Sequence, residues 1–200
     1  MNYIEVFNRA LFLQINGGDG TPTWLIQIAI GIADDLIYLI PLLLLGMWLW
    51  CDSTCRSQVI KACLVTLLAL GENQLIGLVW QHPRPFMIGL GHTWIHHAAD
   101  SSFPSDHITV FAGIGLTLLL GGVFRLAVTV LTTGFAVAWA RVFLGVHFPL
   151  DMVGAVAVAG VSYVVISLLW RMVGDTLTNL AENLYRVVLA RPIASGWLRR

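Results

Sequence analysis

Five long apolar segments run through this sequence and restrict its fold more than any other feature. They cover residues 24–50, 59–80, 108–121, 123–141 and 150–170. Each is near the roughly 20 residues that a helix needs to cross a bilayer, although the third is short unless its helix begins in the polar stretch before it. Because a helix satisfies its own backbone hydrogen bonds inside lipid, the segments predict about five transmembrane helices.

The composition agrees with a membrane protein. Of the 200 residues, 58% are hydrophobic and 11% are charged, whereas about a quarter of the residues in a soluble domain are charged. The formal net charge is zero, and the sequence contains no linker, basic stripe or nucleic-acid-binding motif. We therefore expect a single all-α domain over residues 1–200, an integral-membrane helix bundle in contact with lipid and without a nucleic-acid partner. The sequence leaves the oligomeric state open.

The N-terminal stretch MNYIEVFNRALFLQ differs from the apolar segments. It lacks the basic start and continuous apolar run of a cleavable signal peptide. Ile4, Phe7 and Leu11 recur at helical spacing, and polar residues such as Glu5 interrupt them. This pattern predicts an amphipathic helix that lies in the membrane interface or crosses it as a short extra span.

The basic residues predict the orientation. Five spans place eight of the 11 Lys and Arg residues on one side of the membrane: Arg56, Lys61, Arg125, Arg171, Arg186, Arg191, Arg199 and Arg200. By the positive-inside rule this side is cytoplasmic and holds the C-terminus. The opposite, outer face receives the loop 81–107 and the turn 141–150.

Three polar stretches reach that outer face: HPRPF at 82–86, PSDH at 104–107 and ARVFLGVHFPLD at 140–151. The planar guanidinium groups of Arg84 and Arg141 can each bind two phosphate oxygens and stay charged at any working pH. Ser105 lies where an N-cap belongs, so its hydroxyl and the free N–H groups of the next turn would form an anion site. His107, just inside that turn, is placed to donate a proton.

His147 and Asp151 in the third stretch are four residues apart, so one helical turn places them on the same face. Pro149 between them suits the first turn of a helix. Asp151 would then hold the ring of His147, fix its tautomer and raise its basicity. Singly, such residues have structural explanations, since an Arg at a span end reaches the headgroups and an early Asp satisfies the helix dipole. Together they favour phosphoryl transfer through a histidine nucleophile.

The three stretches resemble the type 2 phosphatidic acid phosphatase family, whose pattern is K-x6-R-P, then P-S-G-H, then S-R-x5-H-x3-D. The matching residues are, in order, Arg84-Pro85, Pro104-Ser105-Asp106-His107, and Arg141, His147 and Asp151. Gly77 stands where the family lysine belongs, so that phosphate contact is absent or supplied by another group such as His82. Ala140 replaces the motif serine, and Asp106 replaces the glycine. The run HAADSSFPSDH is similar to the bacitracin-resistance type of bacterial undecaprenyl-diphosphate phosphatase within this family.

The resemblance implies a phosphatase that needs no metal or cofactor. It would convert undecaprenyl diphosphate, a polyprenyl diphosphate lipid, to the monophosphate at the periplasmic face of the bacterial inner membrane, which recycles the carrier lipid for cell-wall synthesis. His147 would attack the terminal phosphorus and form a phosphohistidine, with Asp151 orienting it. His107 would protonate the leaving oxygen and later help to activate water. The phosphoryl oxygens would be held by Arg84, Ser105, Asp106 and Arg141.

Secondary site residues are predicted at His82, His97, Asp35 and Glu72. Acids inside predicted spans suggest function, and this applies to Asp34, Asp35 and Glu72. They would line a polar cavity below the site, pair with Arg84 or Arg141, or hydrogen-bond between helices. His97 in the outer loop would touch the headgroup, and the spacing of the histidines there does not predict a metal site.

Other functions fit the same residues. The site would also serve phosphatidylglycerophosphate or phosphatidate, or pass its phosphoryl group to lipid A. A non-catalytic lipid-binding or transport protein would use the basic cluster for the headgroup alone. Binding has no need of the arrangement of His147, Asp151 and His107, which argues for the enzyme.

Overall fold

A computed structural model describes residues 3–199, and all its regular elements are helices. In chain order they are α1 Tyr3–Ile15, α2 Thr23–Asp34, α3 Leu39–Trp50, α4 Ser53–Val79, α5 Asp106–Leu120, α6 Phe124–Phe143, α7 Pro149–Val188 and α8 Ala190–Ala194, with 3₁₀ turns at Leu36–Tyr38 and Pro85–Ile88. Four stretches are long and apolar enough to cross a bilayer: Thr23–Trp50, Ser53–Val79, Phe124–Phe143 and Pro149–Val188. The predicted all-α membrane bundle is confirmed.

The remaining predicted span is α5, a shorter apolar helix in the centre of the bundle. It begins at Asp106, inside the polar stretch PSDH, and nine of its 15 residues are buried. A Cβ at Gly113 would lie 2.8 Å from the Thr66 side chain on α4, and one at Gly115 would lie 2.5 Å from Leu131 on α6. These glycines therefore allow close packing on both sides. As a result, the first turn of α5 opens in the middle of the bundle.

The predicted first span, 24–50, consists of two helices joined by the 3₁₀ turn. Pro41 lacks the backbone N–H that would donate to the carbonyl of Ile37, so the α-helical ladder is interrupted there. α2 ends at Asp34, whose carboxylate lies 3.7 Å from the guanidinium of Arg141 in the last turn of α6. The break therefore places a polar helix end beside one of the predicted phosphate-binding residues.

The predicted amphipathic N-terminal helix is present as α1, and the side that faces the protein carries both polar and apolar residues. Its 13 residues rise about 20 Å, less than the thickness of the hydrocarbon core. Asn8 and Phe12 are buried, whereas Ile4 and Phe7 are 62% and 61% exposed. The Asn8 side chain accepts a hydrogen bond from the N–H of Leu150, at 3.1 Å. α1 thus binds the bundle partly through polar contacts. Its outward apolar side chains are compatible with contact to lipid.

The predicted last span ended at residue 170, but α7 continues to Val188 as one helix of 40 residues. At about 60 Å it is twice as long as the hydrocarbon core is thick, so part of it extends beyond the bilayer. Near its C-terminal end, Glu182 lies 3.7 Å from Arg56, and the Arg56 guanidinium packs 4.4 Å from the centroid of the Tyr185 ring. Arg56 also donates to the Arg199 carbonyl at 2.7 Å. The start of α4 and the C-terminal segment therefore meet at the end of the bundle opposite the polar stretches.

Candidate active site

A cavity of about 440 Å³ lies where the three polar stretches meet. Seven of the predicted site residues line it: His82, Arg84, His97, Asp106, His107, Arg141 and His147. They come from the outer loop between α4 and α5, the first turn of α5, the last turn of α6 and the turn after it. The bundle thus brings together polar groups that are far apart in the sequence.

His147 lies in the turn between α6 and α7, and Asp151 lies in the first turn of α7, two residues after Pro149. Both are buried, with 2% and 1% of their surfaces exposed. His147 Nδ1 is 3.1 Å from Asp151 Oδ2, and the same oxygen accepts the N–H of Phe148 at 2.8 Å. With the Nδ1 proton donated to Asp151, the lone pair of a neutral ring is on Nε2.

Arg84 is buried and held by the backbone around it. Its Nη1 donates to the Val146 carbonyl at 2.8 Å, and its Nη2 donates to the Ser101 carbonyl at 3.2 Å. Its Nε donates to the Asp100 carboxylate at 2.8 Å. Nη1 also lies 3.1 Å from His147 Nε2. A fixed cation therefore faces the lone pair of the imidazole directly.

Arg141 supplies a second buried guanidinium, 2% exposed. Its Nη2 lies 3.1 Å from His97 Nε2, and its Nη1 lies 3.7 Å from the Asp34 carboxylate. The His97 and His147 rings are 6.2 Å apart between centroids. The predicted secondary residue His97 therefore connects the second arginine to the histidine that Asp151 holds.

The site is electropositive. Burial, reinforced by the charges of Arg84 and Arg141, holds the pKa of His147 well below its ordinary value of 6.5. Burial and the same two arginines also lower the pKa of His97. Both rings are then neutral near pH 7, and the arginines provide the charge that attracts an anionic headgroup. Within residues 3–199, no three His, Cys, Asp or Glu side chains are grouped to hold a metal ion.

In the substrate-free protein, we expect the His147 ring to stay neutral while the pH is lowered through 6.5, the ordinary histidine value. A protonated ring would be a further cation buried beside two arginines, which is unfavourable. Nitrogen NMR of histidine-labelled protein in detergent measures this, with the signal assigned from a His147→Asn variant. A His147 signal that titrates together with free histidine in the same buffer would contradict the electrostatics described here.

α5 begins at Asp106 with Ser105 at the N-cap position. The buried Ser105 hydroxyl has no hydrogen-bond partner among the described residues, while its N–H donates to the Asp151 carbonyl at 3.3 Å. The Asp106 carboxylate is turned towards α4, where it accepts hydrogen bonds from Asn73 at 2.8 Å and Gln74 at 3.4 Å. A phosphate contact of Asp106 is therefore expected from its backbone N–H, because its carboxylate is engaged and would repel an anion.

Two predicted secondary residues lie away from the cavity, which corrects their assignment to the site. Glu72 on α4 accepts a hydrogen bond from Ser162 on α7 at 2.7 Å, so it joins two helices. Asp35 follows the end of α2, and its side chain is exposed. Of the interpretations that the sequence leaves open, a hydrogen bond between helices is the one that applies to Glu72. For Asp34 it is the pairing with an arginine, namely Arg141.

Gly77, which stands where the family has a lysine, lines the cavity together with His82. His82 Nε2 lies 3.4 Å from the Glu5 carboxylate on α1. Its Nδ1 is buried and has no partner in the described part of the chain. His82 therefore lines the side of the cavity where Gly77 has no side chain.

Two residues that support the site are not among those predicted from the sequence. Ser102 is fully buried, and its hydroxyl donates to Asp151 Oδ2 and lies 3.4 Å from His147 Nδ1. Asp100, which binds Arg84, was also missed. Both lie in the run HAADSSFPSDH, whose polarity was the available signal.

This chain is similar to known proteins of one family. The model of the PAP2 superfamily matches residues 58–175. The protein YbjG of Escherichia coli (strain K12) is 37% identical over 196 residues, covering 98% of this chain and 99% of its own. The undecaprenyl-diphosphatase BcrC of Bacillus subtilis (strain 168) is 33% identical over 183 residues, covering 90% of this chain and 91% of its own. The crystal structure of Aquifex aeolicus LpxE has the same fold, with a TM-score of 0.67 at 21% identity, covering 80% of this chain and 94% of that one.

Proposed function

This chain belongs to the PAP2 superfamily, and from that premise we propose that it hydrolyses undecaprenyl diphosphate to undecaprenyl phosphate and inorganic phosphate. The relative BcrC carries this activity in its name and aligns with 90% of the chain. The observation that carries the proposal is the orientation of His147. Asp151 holds Nδ1 at 3.1 Å, and Nε2 faces Arg84 at 3.1 Å inside the cavity.

In the first step, His147 Nε2 attacks the terminal phosphorus while the bond from that phosphorus to the bridging oxygen breaks. Asp151 stabilises the positive charge that develops on the ring. His107, which lines the same cavity, takes up a proton when the bound diphosphate offsets the charges of the arginines, and it donates this proton to the departing oxygen of undecaprenyl phosphate. Arg84, which faces Nε2 in the free protein, donates to the phosphoryl oxygens instead.

In the second step, His107 accepts a proton from water as the water oxygen attacks the phosphohistidine. The bond between phosphorus and Nε2 breaks, inorganic phosphate leaves, and His147 is free again. The phosphoryl oxygens are stabilised throughout by Arg84, Arg141, the Ser105 hydroxyl and the N–H groups that open α5. The positive charge needed for the transition state is thus supplied by the protein itself.

The cavity opens at the periplasmic face of the inner membrane in this proposal. The positive-inside rule assigns the basic end of the bundle to the cytoplasm. The hydrogen bond from Arg56 to the Arg199 carbonyl, at 2.7 Å, supports placing the start of α4 and the C-terminus on one side. The reaction returns the carrier lipid to cell-wall synthesis, and bacitracin resistance is the associated property that the resemblance implies.

Phosphate release by the purified protein in detergent tests the substrate. With EDTA present, we expect release from undecaprenyl diphosphate at a higher kcat/KM than from phosphatidylglycerophosphate or phosphatidate. A second reaction with isotopically labelled substrate and lipid A detects transfer to an acceptor other than water. Release from the glycerophospholipids alone, or label found only in lipid A, would reject the proposed reaction while keeping the same site chemistry.

A further inference from the structure

We infer that Ser102 is a positioning residue that fixes Asp151, and through it His147, for phosphoryl transfer. The inference rests on the proposed function, because it concerns the same nucleophile. Ser102 lies in the outer loop and outside the three polar stretches at 82–86, 104–107 and 140–151. It does not line the cavity, so its effect on the reaction must pass through another residue.

Ser102 joins two of the segments that build the site. It is fully buried, with 0% of its surface exposed. Its hydroxyl donates to Asp151 Oδ2 in the first turn of α7. Its backbone N–H donates to the His82 carbonyl at 2.8 Å, two residues before Arg84. A single residue therefore ties the loop that carries Arg84 to the helix that carries Asp151.

The contacts of the Asp151 carboxylate show why this donor matters. Oδ2 is shared by the Ser102 hydroxyl, the Phe148 N–H at 2.8 Å and His147 Nδ1 at 3.1 Å. Oδ1 is buried without a partner within residues 3–199. Among the described residues, Ser102 is therefore the side chain besides His147 that holds this carboxylate. A buried acceptor with fewer donors than lone pairs depends strongly on each donor it has.

Loss of the Ser102 hydroxyl should act on the orientation of the nucleophile. The carboxylate would keep the Phe148 N–H but could turn about its side-chain bond, and the His147 ring would lose its single orientation. The arginines that bind phosphate would be unchanged. We therefore expect Ser102→Ala to lower kcat about 10- to 100-fold, as for other residues that orient a functional group, with little change in KM.

Ser162→Ala is the matched control. Ser162 is also a fully buried serine, 0% exposed, and its hydroxyl also donates to a carboxylate, that of Glu72, at 2.7 Å. This contact joins α4 and α7 away from the cavity. A loss that came only from removing a buried hydrogen bond would appear in both variants, and thermal unfolding in detergent compares their stabilities.

The experiment measures two quantities in the intact protein: kcat and KM for phosphate release from undecaprenyl diphosphate, and the nitrogen NMR signals of His147 without substrate. In the wild type and Ser162→Ala we expect one Nδ1-protonated tautomer, and in Ser102→Ala a mixture of tautomers together with the lower kcat. Unchanged His147 signals, an unchanged kcat, or an equal loss of kcat in Ser162→Ala would each overturn the inference. A wild-type protein that releases no phosphate would instead reject the proposed function, and the NMR comparison would still test the role of Ser102 in holding His147.

Discussion

Replacing His147 by alanine is expected to lower kcat for phosphate release by about 10⁴-fold or more, because the attacking atom is removed. In the structure, Nε2 is directed into the cavity by the Asp151 contact on the other side of the ring, at 3.1 Å. Water could still attack a phosphate held by the arginines, so a small residual rate is consistent with the account. Substrate binding should be largely kept, since Arg84 and Arg141 are untouched.

The measurement is steady-state phosphate release together with lipid binding by the same preparation. His96→Ala is the matched control, since His96 is an exposed histidine in the outer loop one residue from His97, and we expect it to keep wild-type turnover. A His147→Ala protein that binds the lipid and turns over within about tenfold of the wild type would contradict a histidine nucleophile.

Replacing Arg84 by lysine is expected to lower kcat/KM by about 10²- to 10³-fold, although the charge is kept. Three separate nitrogens of Arg84 donate to Asp100, Val146 and Ser101, at 2.8, 2.8 and 3.2 Å. A lysine ammonium is a single point of charge and cannot reproduce this planar set of contacts. It would leave the phosphoryl group without a donor in a fixed position beside His147 Nε2.

Arg186→Lys provides the control for this substitution. Arg186 also binds a carboxylate, that of Glu182, at 2.8 Å, but it lies in the C-terminal part of α7, far along the helix from the cavity. We expect its kinetics to match the wild type. An Arg84→Lys protein with kcat/KM within about threefold of the wild type would show that charge alone is sufficient, and would contradict the role given to the guanidinium geometry.

The lengths of the apolar segments predicted most of the fold. A segment inside lipid must satisfy its own backbone hydrogen bonds, and it does so by forming a helix. The lengths also showed that the third segment is short for a span unless its helix begins inside PSDH, and α5 does begin there, at Asp106. Hydropathy could not show that α7 continues to Val188, since helix formation persists after the apolar run ends. Near the break before α3, Pro41 removes one donor from the helical hydrogen-bond ladder, and an apolar count does not register this effect.

The candidate site was predictable where the interval between two residues in the sequence fixes their relative position in space. The four-residue interval between His147 and Asp151 requires one helical turn, and the N-cap position of Ser105 follows from the start of an apolar run. The contacts of Ser102 and Asp100 could not be predicted, because the outer loop has no periodicity and its course depends on the packed helices. The prediction for Glu72 rests on its being an acid inside a predicted span, which does not say which helix face it occupies.

The most direct test of the account is to trap the phosphorylated enzyme. Protein mixed with undecaprenyl diphosphate labelled in the terminal phosphate is quenched in alkali within the first turnovers, and the labelled peptide is identified by mass spectrometry. We predict phosphate on His147, removed by mild acid and absent from the His147→Ala protein. An enzyme that turns over while no label appears on His147, or with label on another residue, would contradict the mechanism proposed here.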